Sequence, residues 1–203
     1  MDHRLLKKYE EYLAKLLLED FMPDEYSGLV NDDKPDLRMG DNIGIEVTRA
    51  ISKEEGQASG IFEHLRGKTD VDVRHIKTIQ DIEYELLYYN GKVVGYGPSS
   101  ATIVDNVLLK QAYLKKINKE YTLPIMDLFV FSPMNEWFEE ECIKAFFVWS
   151  IDNSNKRFRR IMVFEYPYLY VFDTQNSRIN KISIDRIKYS CCIDKAKRCV
   201  FSL

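Results

Sequence analysis

The segment Ile43-Gly44-Ile45-Glu46-Val47-Thr48 constrains this chain more than any other. Ile43, Ile45 and Val47 alternate with Gly44, Glu46 and Thr48, the two-residue period of a β-strand with one face in a core. The second face is small and polar, so Glu46 and Thr48 point together into whatever lies there. An ionised Glu in such a strand is costly unless a cation compensates it. Ten residues before Glu46 stands Asp36, in Lys34-Pro35-Asp36-Leu37, the start of a second short strand. The turn Met39-Gly40-Asp41-Asn42 joins the two. Directly opposed residues of an antiparallel pair share a face. Asp36 therefore joins Glu46 only if the connecting loop has an odd residue count or a bulge, and Gly40 permits either. Two carboxylates so placed suit a hard divalent ion such as magnesium. Without an ion, Glu46 needs a salt bridge, for which Arg49 or Arg38 is the nearest cation in sequence.

Pro35-Asp36, a short gap, then Glu46-Val47-Thr48 resembles the signature of the PD-(D/E)XK nucleases, the metal site of restriction-endonuclease-like folds. The resemblance implies that Asp36, Glu46 and the carbonyl of Val47 bind magnesium or manganese. It also implies hydrolysis of phosphodiester bonds in DNA or RNA. The family has a Lys where this chain has Thr48, which bears on catalysis more than on fold. An acidic residue on the first helix can reach the metal site in such folds, making Glu10 a candidate. The alternative is an inactive nuclease-fold module that binds nucleic acid or a protein partner.

With 203 residues, 45% of them hydrophobic and 30% charged, the chain can bury one substantial core. No apolar run approaches the roughly 20 residues that span a bilayer, and no signal peptide is apparent at the N-terminus, so the expected compartment is the cytoplasm. Cys142, Cys191, Cys192 and Cys199 form neither a C-x-x-C pair nor a regular framework, and buried free thiols are expected. The net charge of −3 argues against indiscriminate nucleic-acid binding. Its distribution is uneven: residues 153–203 hold eleven Lys or Arg against four Asp or Glu, a net +7, whereas 1–152 hold eighteen against twenty-eight, a net −10. Such a basic C-terminal segment suits phosphates.

Along the chain, residues 3–22 read as an amphipathic helix stopped by Pro23. Residues 51–66 read as a helix opening at Ser52, with Glu54 and Glu55 in its first turn, Glu55 being a further acid for the site. Tyr84 to Tyr96 reads as a hairpin with an Asn-Gly turn, its tyrosines available for stacking on bases. A helix capped by Ser99 or Ser100 is expected through about Lys119, with Ile103, Val107 and Leu114 facing inwards. Lys110 borders that face and is the candidate replacement for the missing motif Lys. Ile125–Phe131 reads as a central strand, 135–150 as a helix, 161–166 and 169–173 as strands, and 181–184 and 187–189 as strand-like. Nucleotide-binding glycine loops, G-x-S-x-G and H-E-x-x-H are absent. The expected fold is a single α/β domain over 1–203, a three-layer sandwich with a mixed central sheet and an αβββαβ core. It carries an insertion at 67–97 and extra C-terminal strands. Nucleic acid is the expected partner, no membrane is, and a homodimer is compatible with this reading.

Overall fold

The computed structural model describes residues 3–100, 102–133, 136–153 and 157–201. Its elements, in chain order, are α1 (His3–Phe21), β1 (Val30–Asn31), β2 (Leu37–Met39), β3 (Ile43–Arg49), α2 (Lys53–Leu65), α3 (Val73–Asp81), β4 (Tyr84–Tyr89) and β5 (Lys92–Pro98). There follow β6 (Thr102–Val104), α4 (Val107–Ile117), β7 (Ile125–Phe131), β8 (Glu136–Phe138), α5 (Glu140–Asn153), β9 (Arg160–Glu165), β10 (Tyr168–Asp173), β11 (Arg178–Ser183) and α6 (Arg186–Phe201).

Seven strands form a mixed sheet in the order β1-β2-β3-β7-β9-β10-β11. The first three make an antiparallel meander, β3, β7 and β9 run parallel, and β9, β10 and β11 are again antiparallel. On one face Leu13, Leu17 and Leu18 of α1 and Cys192 and Ala196 of α6 pack with Ile45, Val47, Phe129 and Met162. On the other face Leu109 and Tyr113 of α4 and Ile143, Phe146 and Phe147 of α5 pack with Leu128, Val130, Ile161 and Val163. The fold is thus a three-layer α/β sandwich. The central strand β7 is buried along nearly its whole length, as its continuous apolar run requires. The segment 67–97 holds α3 and the β4–β5 hairpin. These pack with α2 around a small core of their own, Ala58, Ile79 and Tyr84.

Several local expectations need correction. The helix expected from Ser99 or Ser100 begins at Val107 instead. The β-branched run Thr102-Ile103-Val104 pairs with β8 as a short strand, and Asp105 accepts the Val107 N–H at 2.8 Å. The inner face of the helix also differs from the expected one, since Ile103, Val107 and Leu114 are all exposed. The helix expected over 135–150 starts at Glu140, Asn135 itself lying outside the described residues. Residues 187–189 are helical. The Asp185 carboxylate accepts the N–H groups of Ile187 and Lys188 at 3.0 and 2.9 Å and so caps α6. Cys191, Cys192 and Cys199 therefore lie on that helix, with only Cys192 buried. By contrast Ser52 caps α2 as expected, accepting the Glu55 N–H at 2.9 Å.

The meander sets the register that matters. Leu37 pairs with Ile45 and Met39 with Ile43, leaving Gly40, Asp41 and Asn42 as a three-residue loop with Gly40 at φ +57°. The count is odd, so one step beyond the Leu37–Ile45 pair Asp36 stands opposite Glu46. Gly44 lies on the same face as Glu46 and carries no side chain because Pro35 packs on it. A Cβ there would lie 2.5 Å from Pro35 Cγ and 2.7 Å from Met126 Sδ. Gly44→Val should therefore destabilise the fold by about 1–3 kcal/mol through overpacking. Urea denaturation checks this, and an unchanged midpoint would mean that Pro35 does not depend on the glycine.

Candidate functional site: two carboxylates on one lysine

Where β2 and β3 part, the strand ladder gives way to side chains. Asp36 Oδ2 accepts the Val47 N–H at 2.8 Å, taking the place of a backbone partner. Asp36 and Glu46 are each 1% exposed. Both accept hydrogen bonds from a single ammonium, that of Lys116 on α4, which lies 2.9 Å from Asp36 Oδ2 and bonds Glu46 Oε2. Lys119 Nζ reaches the same Glu46 oxygen at 2.9 Å, and Lys7 of α1 holds Asp36 Oδ1 at 2.9 Å and Glu11 at 3.1 Å. Three lysines, Lys7 of α1, Lys116 of α4 and Lys119 just past the end of α4, thus neutralise the two acids.

The electrostatics follow from this arrangement. Burial alone would raise the Asp36 pKa, but the Lys116 ammonium, the Val47 N–H and Lys7 together hold it below the ordinary carboxylate value. Burial opposes the charge of Lys116, but Asp36 and Glu46 outweigh it and keep its pKa raised. Glu11 shifts upwards, through burial offset in part by Lys7. The end of α4 is fixed from below: Tyr121 Oη donates to the Lys116 carbonyl at 2.8 Å, and Arg157 donates to that of Lys119. The first bond satisfies a carbonyl of the last helical turn, and the second holds the segment just past it.

Beside Lys116 lies a cleft of about 330 Å³, bounded by Lys7 and Glu10 of α1, Thr48 and Arg49 of β3, Glu55 and Glu63 of α2, Tyr96 of β5, and Lys115, Lys116 and Lys119; the two acids themselves are buried behind this lining. Thr48 is part of its wall, in line with its position two residues along from Glu46. Among the described residues no three His, Cys, Asp or Glu side chains converge on one metal position.

The expected site residues fare differently. Asp36 and Glu46 come together on one cation. Lys110 does not join them: it stands 5.6 Å over the Trp149 ring, and Lys116 is the lysine of α4 that turns inwards. Glu10 pairs with Arg49, whereas Glu11, one residue on, is the α1 acid tied to Asp36 through Lys7. Glu55 is buried in the cleft wall, 4.0 Å from Arg49. Neither arginine expected as a partner of Glu46 serves it, since Arg49 takes Glu10 and Arg38 takes Asp32. Lys116 is legible in principle: Leu109, Ala112, Tyr113 and Lys116 form the buried i, i+3, i+4, i+7 stripe of α4. Finding it requires the correct helix phase. No family model, curated protein or solved structure matches the chain.

Removing the ammonium while keeping its stem leaves two buried acids facing each other. Lys116→Met should destabilise the protein by about 3–5 kcal/mol in metal-free buffer, the loss seen when one partner of a buried pair is removed. Asp36 supplies a pH signature. Because its folded pKa is depressed, its contribution to stability is complete above the unfolded-chain value of about 3.9 and is lost as pH falls through the lower folded value. Asp36→Asn should remove that part of the acid limb of a stability-versus-pH curve. An acid limb of unchanged shape would show that the pairing is not maintained in solution.

Proposed function

We propose that this chain is a magnesium-dependent nuclease of the PD-(D/E)XK type, in which Lys116 of α4 supplies the charge that the motif places at position 48. The observation that carries this reading is the pairing of Asp36 with Glu46 across β2 and β3, both on the ammonium of Lys116, a residue that lines an open cleft. The order of α1, the β1–β2–β3 meander, α4 and the parallel strand β7 agrees with the αβββαβ core that the sequence resemblance implies.

The donor set suits magnesium. Magnesium is held by one or two carboxylates and keeps several waters, so two acids and a carbonyl suffice without a third acidic ligand. Asp36 and Glu46 would hold it, with the carbonyl of Val47, whose N–H already turns to the Asp36 side. When bound, the ion polarises a phosphate and lowers the pKa of a water. Lys116 then sets its ammonium beside the developing negative charge, a stabilisation that a preorganised cation supplies without reorganisation. Its four-carbon stem lets the ammonium leave the acids and turn to the phosphate. The Thr48 hydroxyl offers a hydrogen bond in the cleft wall, and Lys115, Lys119 and Lys7 offer contacts to the phosphates on either side.

One observation favours the second reading, a non-cleaving module that binds nucleic acid or protein: in this structure Lys116 already satisfies both acids, and Thr48 supplies no charge. Cleavage assays separate the two readings. Wild type should cut DNA or RNA only with magnesium or manganese, and Asp36→Asn should abolish this. Lys116→Ala should reduce the rate by about 10²-fold or more, as loss of a charge-stabilising donor does, while leaving metal uptake intact or tighter. Lys110→Ala should cut at the wild-type rate. Thr48→Lys should restore part of the rate lost in Lys116→Ala. No metal-dependent cleavage of either nucleic acid would leave the binding module as the reading.

A further inference from the structure

A second hollow, of about 520 Å³, lies beside the charged cleft, beyond the carboxyl ends of the parallel strands β3, β7 and β9. Arg49 and Glu10 line both hollows, so the two share a wall. Ligands of open α/β sheets bind at this end of the strands, and the volume falls within the roughly 300–1,000 Å³ of small-molecule sites. The lining is aromatic to an unusual degree: Tyr9 of α1, Trp137 of β8, Tyr166 of the β9–β10 turn and Tyr189 of α6. Trp137 and Tyr166 are 41% and 43% exposed. Tyr166 stacks on Tyr189, with ring centres 4.8 Å apart and an interplanar angle of 22°, which holds a flat apolar plate at the rim. Polar groups also face this hollow: Arg49 and Glu10 on the shared wall, and Ser132 and Glu165 on the side of β8. Glu165 lines it and accepts the Phe138 N–H at 3.0 Å through Oε2, so β8 is anchored by the same carboxylate.

We propose that this hollow is a nucleobase subsite, taking an unpaired base of a single-stranded nucleic acid whose phosphates run through the neighbouring cleft. The proposal deepens the nuclease reading by naming the substrate class, and in that respect rests on it. Stacking on exposed rings is how sequence-tolerant proteins hold single strands. A carboxylate at the edge of such a site accepts from exocyclic amino groups of bases. Continuity through Arg49 favours a nucleic acid over an apolar protein segment. The adjoining cleft carries Lys7, Lys115 and Lys119, cations suited to the phosphates of the same strand. A base inside a duplex cannot enter without unpairing, so the site selects single strands, loops or ends.

The test separates this pocket from the catalytic reading by measuring binding without cleavage. Fluorescein-labelled short oligonucleotides, deoxy and ribo, single-stranded and as blunt duplexes, are titrated with the full chain in EDTA and followed by anisotropy. The single strands should bind more tightly than the duplexes. Trp137→Ala should weaken single-strand binding by about tenfold, the loss of one stacked base, and Trp137→Phe should restore most of it. Val148→Ala, on the exposed side of α5 away from both hollows, should leave binding unchanged. Equal affinity for duplex and single strand, indifference to Trp137→Ala, or an equal loss in Val148→Ala would each overturn the pocket. If Trp137-dependent binding holds while no cleavage occurs with magnesium, the subsite stands and the nuclease reading falls. Metal-dependent cleavage that is insensitive to Trp137→Ala would instead sustain the nuclease and overturn the subsite.

Discussion

The Lys116 ammonium stands between two carboxylates that the central sheet has removed from water, and the local architecture is arranged around that contact. Two buried acids facing each other would be strongly unfavourable, and a single buried lysine would be nearly as costly. Together, with Lys7 and Lys119 as outer partners, they form a compensated group. The compensation requires a meander loop of odd length to bring Asp36 opposite Glu46, and a glycine at position 44 to admit Pro35. It also requires a crossover helix whose last turn ends over the strands, held there by Tyr121 and Arg157. Such a cluster is weak as a source of stability, and the proposed function asks it to exchange one cation for another.

The parts legible in the sequence are those governed by short-range period. Alternation in 43–48 gives the strand and the face of Glu46, and an apolar run gives β7. Parity of the loop states the condition that the register then meets. Asp36 and Glu46 are therefore reachable without coordinates. The lysine requires choosing the right face of α4. Taking Ile103, Val107 and Leu114 as the inner face turns the stripe of Leu109, Ala112, Tyr113 and Lys116 outwards and brings Lys110 to the fore. The β-branched triplet at 102–104 is the signal for the later start. At α6 the misreading has the opposite form: Ile187-Lys188-Tyr189 suits a strand by propensity, but the capping carboxylate of Asp185 and the packing of Cys192 and Ala196 on α1 decide for helix.

The two hollows share a location, the carboxyl end of β3, and differ in chemistry. One is lined by lysines and acids, the other by aromatic rings. The satellite of α2, α3 and the β4–β5 hairpin closes the first through Glu55 and Tyr96, while α6 and the β9–β10 turn close the second. No helix among the described residues is long and apolar enough to cross a membrane. Charge and aromaticity are thus concentrated around one strand end.

The central claim is that the Asp36–Glu46 pair accepts a divalent ion in competition with Lys116. Manganese titration at neutral pH, followed by the electron paramagnetic resonance of the free ion, tests it directly. The account predicts a saturable bound population that Asp36→Asn removes and Lys116→Met tightens. Manganese that stays free with the wild type, or binds equally to Asp36→Asn, would contradict it and leave the two acids as a structural ion-pair cluster.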